Sequence, residues 1–136
     1  GMEKKISSAV YLINYHFVWC PKYRKPILIQ HIAEELEKTI RTICLTKNWD
    51  ILELKIVPDH IHLFLSTPPY ESPTGVIKIL KGVSAKRLYS VYPELRTMFR
   101  KGSIWSPSYY VGTAGNVSSD TIQRYIQEQD RNSSPG

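Results

Sequence analysis

The order of the predicted elements is strand, helix, strand, strand, helix, strand, which predicts an α+β fold of the ferredoxin-like (RRM-like) split βαβ type. Apolar β-rich or alternating segments at residues 9–20, 49–57, 60–65 and 105–112 predict the four strands. Apolar residues at helical spacing fill the first and third intervals between them. We therefore expect a four-stranded antiparallel sheet with helices on one face, plus a C-terminal helix at about residues 118–130.

Length and composition limit the kind of protein this is. A chain of 136 residues suits one compact domain, so residues 1–136 are predicted to form a single domain. Eighteen Lys+Arg against twelve Asp+Glu give a net charge of +6, which favours a polyanionic partner. No apolar segment is long enough to span a bilayer, and the amino terminus lacks the core of a signal peptide. We expect a cytoplasmic protein with Cys20 and Cys44 as free thiols.

The first strand, residues 9–20, is apolar on both faces, which is typical of a central strand. Its His16 is expected to be satisfied within the sheet. The proline-bounded turn at residues 21–26 carries three cations and an aromatic ring. It either binds phosphates and stacks a base, with Lys22 and Arg24 as contacts, or is a solvated connection.

Two amphipathic helices are predicted to cover the sheet. The first, residues 28–47, has apolar positions at Ile29, Ile32, Leu36, Ile40 and Ile43. The second covers residues 74–91, and its predicted core stripe is Val76, Ile77, Leu80, Val83, Leu88 and Val91. Its opposite face carries Lys78, Lys81, Lys86 and Tyr89. That face is either solvated or contacts nucleic acid.

The strand that follows the Pro58-Asp59 turn carries two histidines. His60 and His62 are two residues apart and should share one face, while Ile61 and Leu63 point to the other. Two neutral imidazoles side by side suit a divalent metal with open coordination positions, although two ligands alone make a weak site. Asp59 either orients a histidine or caps the turn, and we favour the turn.

The last predicted helix, residues 121–130, has few apolar residues and follows a flexible connection. An isolated helix of this length is marginal in water, so it must dock on something to be ordered. Tyr125 and Gln129 are four residues apart and share one face. The helix can therefore present a phenolic oxygen and an amide together.

Five segments together have the pattern of a known family. They are YHFVWCPKYR at 15–24, PDHIH at 58–62, LKGVSAK at 80–86, WSPSYY at 105–110 and YIQEQ at 125–129. The chain resembles the single-tyrosine HUH transposases, the TnpA-type enzymes of the smallest bacterial and archaeal insertion sequences. The resemblance covers nearly the whole chain.

The resemblance implies roles for particular residues. His60 and His62 would be the HUH pair, Tyr125 the nucleophile, and Gln129 the third ligand of Mg²⁺ or Mn²⁺. Such enzymes recognise hairpins at the element's ends and cleave and rejoin single-stranded DNA through a 5′-phosphotyrosine intermediate. They are homodimers with composite active sites, in which the tyrosine helix can dock on the partner chain. Lys22, Arg24, Lys78, Lys81 and Lys86 are the candidate DNA contacts.

Two alternatives remain at the level of sequence. A non-catalytic or domesticated hairpin-binding protein of the same fold would need none of His60, His62, Tyr125 and Gln129, so the presence of all four argues against it. An enzyme that processes genomic hairpin repeats would have the same site residues.

Overall fold

The computed structural model describes residues 12–100, 102–113 and 119–132. Its elements are β1 (Ile13–Trp19), a 3₁₀ turn (Lys22–Arg24), α1 (Gln30–Lys47), β2 (Asp50–Val57), β3 (His60–Thr67), α2 (Pro73–Val91), α3 (Glu94–Phe99), β4 (Tyr110–Thr113) and α4 (Ser119–Asn132). The strands form one antiparallel sheet in the order β2-β3-β1-β4. This confirms the predicted α+β fold with its four-stranded antiparallel sheet.

The core lies between the sheet and the helices. Side chains at every second position of β1 and β3 face α1 and α2, so one sheet face is apolar. The residues that share this core include Tyr15, Phe17, Trp19, Ile61, Leu63, Leu65, Leu36, Ile40, Val76, Ile77, Leu80 and Leu88. The opposite face of β3 carries His60, His62, Phe64 and Ser66.

The predicted core stripe of α2 is wrong at two positions, because Val83 and Val91 are 46% and 37% exposed. Ser84 and Tyr89 are buried instead, so Tyr89 does not join the exposed lysines. The cause is long-range packing: Trp105 Nε1 donates to Ser84 Oγ at 3.0 Å, and the Tyr89 hydroxyl donates to the Gly102 carbonyl at 3.1 Å. The segment after α3 covers this side of α2.

Several boundaries differ from the predicted ones. The last strand begins at Tyr110, and Trp105 makes only an isolated bridge to Pro21, because Pro107 cannot continue a hydrogen-bonded ladder. Helix α1 begins at Gln30, since Ile29 is its N-cap in extended conformation. Residues 9–11 of the first predicted strand lie outside the described residues.

Both cysteines are buried free thiols. Within the described ranges, no helix combines the length and apolarity that crossing a membrane requires.

Candidate active site

The histidine pair lies on the sheet face opposite the core. Strand β3 alternates as its sequence predicts, with Ile61 and Leu63 fully buried against the helices and His60 and His62 only partly buried on the other side. The two imidazole rings have their centroids 4.8 Å apart at an interplanar angle of 76°. Since β3 is hydrogen-bonded on both sides, to β1 and β2, the sheet fixes the position of both rings.

Asp59 contacts the first of these histidines. Its Oδ1 is 2.8 Å from His60 Nδ1, and its Oδ2 is 3.1 Å from Arg24 Nε. An ionised carboxylate only accepts hydrogen bonds, so Nδ1 of His60 carries a proton and donates it to Asp59, and Nε2 is the nitrogen that bears the lone pair in the neutral ring. The favoured interpretation of Asp59 as a turn cap is therefore wrong, because the carboxylate lies between His60 and Arg24. The sequence shows no link between positions 24 and 59, which are brought together only in the fold.

His62 has a histidine partner of its own. His16 Nε2 is 3.3 Å from His62 Nδ1, and the His16 ring stacks on Phe64 at 4.1 Å between centroids. Burial lowers the pKa of His62 to about 4, with further lowering by His60, His16 and Lys55, so this imidazole is neutral near pH 7. The expectation that the sheet satisfies His16 holds for Nε2 alone. Its Nδ1 is buried without a hydrogen-bond partner among the described residues.

The second half of the site is on α4. Gln129 is only 4% exposed, and its Oε1 accepts hydrogen bonds from Ser106 Oγ at 2.5 Å and Ser108 Oγ at 3.1 Å. The Tyr125 hydroxyl donates to the Ser108 carbonyl at 3.1 Å. Burial raises the pKa of Tyr125, and contact with the Cys20 thiol adds to the shift, so the phenol keeps its proton. In this arrangement the serines, not the histidine pair, engage the amide oxygen of Gln129.

Lys81 supports the segment that holds α4. Its Nζ donates to the Ser106 carbonyl at 2.6 Å and to the Ser108 carbonyl at 3.3 Å. Burial lowers the pKa of Lys81. A cavity of about 300 Å³ adjoins this segment and is lined by Lys22, Tyr23, Ser106, Pro107, Ser108 and Gln129. The sequence did not assign Ser106 and Ser108 a role, although the WSPSYY segment contains both.

The predicted DNA contacts divide into two groups. Lys78 and Lys86 on α2 are exposed, and Lys22 lines the cavity beside Gln129. Lys81 and Arg24 direct hydrogen bonds into the protein instead, Lys81 to the serine carbonyls and Arg24 to Asp59 and to the Ile126 carbonyl. The exposed Lys78 and Lys86 are available to a polyanion without any rearrangement.

The family model described as "Transposase IS200 like" matches residues 9–129, a span that includes both histidines and Tyr125. The chain belongs to the IS200-like transposase family. It is therefore a DNA transposase of an insertion sequence, as the resemblance of its motifs predicted.

Individual relatives support the assignment to the IS200-like transposase family. The ISDra2 transposase TnpA of Deinococcus radiodurans is 36% identical over 93% of this chain and 90% of its own length. The transposase for insertion sequence element IS200 of Salmonella typhimurium is 34% identical over 95% of this chain and 84% of its own. The crystal structure of a Deinococcus radiodurans R1 protein assigned as a transposase superposes with a TM-score of 0.84 at 35% identity, covering 93% of this chain and 97% of that one.

Proposed function

We propose that this IS200-like transposase cleaves and rejoins single-stranded DNA at hairpin-marked ends of its insertion sequence. Tyr125 is the nucleophile, and His60 and His62 hold a divalent metal, Mg²⁺ or Mn²⁺. The observation that carries the proposal is the histidine pair on the sheet. Both Nδ1 atoms have partners inside the protein, Asp59 and His16, and among the described residues neither Nε2 atom has a hydrogen-bond partner, which supports Nε2 as the metal-binding nitrogen of both rings.

The donor set fits a metal that keeps open coordination positions. Imidazole nitrogens together with oxygen ligands suit Mn²⁺, and the low pKa of His62 removes proton competition near neutral pH. The described residues contain no cluster of three or more His, Cys, Asp or Glu side chains that could complete the site. The Gln129 amide oxygen would be a further ligand once it leaves Ser106 and Ser108, and oxygens of solvent and substrate would fill the open positions. When bound, the metal withdraws charge from the scissile phosphate.

The reaction of Tyr125 is a transesterification. Its phenolic oxygen attacks the phosphorus, the 3′-oxygen leaves, and a 5′-phosphotyrosine bond replaces the broken phosphodiester bond. One phosphoester bond is formed for each one lost, so rejoining requires no ATP. The raised pKa of Tyr125 means that its proton must leave as the new bond forms. Before attack the phenol holds this proton and donates it in a hydrogen bond to the Ser108 carbonyl, and the proton lost on attack is balanced by the one that the leaving 3′-oxygen takes up.

The proposal includes a homodimer that acts in the cytoplasm and has α4 docked either on its own chain or on its partner. The contacts described for Tyr125 and Gln129 are hydrogen bonds, which a second copy of the same segment can replace. The net charge of +6 and the exposed Lys78 and Lys86 support a nucleic-acid substrate.

The test is a search for the covalent intermediate. Purified protein is mixed with Mn²⁺ or Mg²⁺ and single-stranded oligonucleotides from both flanks of its gene, and a denaturing gel is run for a protein–DNA band. We expect a metal-dependent band in the wild type and in Tyr70→Phe, a control at an exposed tyrosine. Tyr125→Phe and His62→Ala should lose it by several orders of magnitude. Tight hairpin binding with no band from either flank would favour the non-catalytic binding protein instead.

A further inference from the structure

Arg24 contacts both halves of the site. Its Nε is 3.1 Å from Asp59 Oδ2, and its Nη1 donates to the Ile126 carbonyl of α4 at 3.3 Å. Asp59 in turn bonds His60, and Ile126 directly follows Tyr125. A continuous chain of hydrogen bonds therefore runs from the backbone of the tyrosine helix to one histidine of the pair.

The geometry of this chain of hydrogen bonds favours an arginine. A guanidinium holds Nε and Nη1 at fixed, separate positions on one rigid plane, so the two groups reach partners on opposite halves of the site, whereas a lysine presents all of its N–H donors from one nitrogen. The backbone is also unusual here. Tyr23 and Arg24 both have positive φ, 64° and 49°, a conformation that non-glycine residues rarely adopt. Such local strain persists where surrounding contacts fix it, and it is frequent at functional sites.

We infer that Arg24 is a positioning residue that couples the docking of α4 to the orientation of the metal-binding nitrogen of His60. This inference rests on the metal site proposed above. When α4 is docked, the Ile126 carbonyl and the Asp59 carboxylate both bind the guanidinium and fix its position. The Asp59 carboxylate then fixes His60 with its proton on Nδ1 and its Nε2 free. When α4 leaves, Asp59 loses part of its support and His60 binds metal less well.

The coupling must be reciprocal. If docked α4 raises the affinity for metal by some factor, bound metal stabilises docked α4 by the same factor. Metal should therefore slow hydrogen exchange of the α4 backbone amides. Gln129 as a metal ligand would also connect α4 to the metal, so the contribution of Arg24 is the part of this slowing that is lost when Arg24 is replaced. A residue whose only role is to contact a DNA phosphate would show neither effect.

The experiment measures Mn²⁺ affinity of the full chain without DNA, from the electron paramagnetic resonance signal of free Mn²⁺. Asp59→Ala should weaken binding about 10- to 100-fold, as is usual for the partner of a metal-binding histidine. Arg24→Lys keeps the charge but loses the double contact, and it should weaken binding by about fivefold or more. Arg87→Gln is the matched control, because its Nε makes a 3.0 Å ion pair with Glu35 between the helices on the other sheet face. Its Mn²⁺ affinity should equal that of the wild type.

Hydrogen exchange of α4 with and without Mn²⁺ is the second measurement. We expect Mn²⁺ to slow exchange equally in the wild type and in Arg87→Gln and to slow it less in Arg24→Lys, whose circular dichroism should match that of the wild type. An unchanged Mn²⁺ affinity in Arg24→Lys overturns the inference, and so does metal protection of α4 in that variant equal to that in the wild type.

Failure of the metal site itself would look different. In that case the wild type would bind Mn²⁺ no better than His60→Ala or His62→Ala, which contradicts the proposed function along with this inference. Loss of affinity in Asp59→Ala with full affinity in Arg24→Lys keeps the metal site and rejects only the role of Arg24.

Discussion

Strand β3 and helix α4 carry the two halves of the candidate site, and they are held in different ways. β3 is paired on both sides, and Ile61, Leu63 and Leu65 are each fully buried. Among the described side chains of α4, Ile122 and Gln129 are the buried ones, and Gln129 is held by hydrogen bonds. The histidines are thus fixed by the fold itself, while the tyrosine is placed by polar contacts that can be exchanged without unfolding the sheet.

The largest expected difference between the two halves is in stability. Leu63→Ala removes a fully buried side chain from the sheet and should lower the free energy of unfolding by about 2–5 kcal/mol. Ile122→Ala should change global unfolding by less than about 1 kcal/mol, because α4 can detach in a local opening. Urea denaturation followed by tryptophan fluorescence measures both. If Ile122→Ala lowers the free energy of unfolding as much as Leu63→Ala does, α4 unfolds only together with the sheet.

A second expected effect is confined to the histidine half and depends on pH. The pKa of His62 is about 4 in the folded protein, against 6.5 for an unperturbed histidine. Between these pH values the unfolded chain binds more protons than the folded one, so stability falls as pH drops from about 6.5 to about 4. The lowered pKa of His16 acts in the same direction. Urea denaturation in EDTA at several pH values should show that the free energy of unfolding depends less on pH in His62→Phe than in the wild type. An equal pH dependence in the two proteins would contradict the assignment of the low pKa to His62.

Removal of one hydroxyl should affect only the α4 half. Ser106→Ala deletes the shorter of the two hydrogen bonds to Gln129 and should weaken α4 docking by about 1 kcal/mol. Amide hydrogen exchange in α4 should then be about fivefold faster, while the free energy of unfolding measured in urea should not change. Ser90→Ala, at an exposed position on α2, is the matched control. Equal exchange rates in the two variants would show that Ser106 does not hold the helix.

The smallest expected effect separates two lysines of α2. Lys78 is exposed, and Lys78→Ala should reduce the salt dependence of single-stranded DNA binding by about 0.7 in the logarithmic slope if it contacts one phosphate. Lys81 donates to the Ser106 and Ser108 carbonyls. Lys81→Ala should leave the salt slope unchanged and accelerate exchange in α4. Binding is measured by fluorescence anisotropy in EDTA, and the reverse pattern would place the DNA surface at Lys81.

What the sequence predicted correctly depends on local periodicity. The alternation of β3 placed His60 and His62 opposite Ile61 and Leu63, and the order of elements predicted the sheet. The errors come from contacts between distant segments. The burial of Tyr89 depends on Gly102, and the contact of His16 with His62 depends on a strand register in which His16 pairs with Phe64. The link from Arg24 to Asp59 likewise exists only once the hairpin lies beside the 3₁₀ turn. The roles assigned to His60, His62, Tyr125 and Gln129 remain predictions.

The central position of β1 determines when the molecule can assemble. β1 pairs with β3 and with β4, so β1 is made before both of its partners, which lie about 45 and 95 residues further along the chain. The sheet cannot close during synthesis until residue 113 has left the ribosome. Helix α4 follows β4 in the chain, so each newly made molecule completes the strand bearing the histidines before it gains the tyrosine that is proposed to cut DNA.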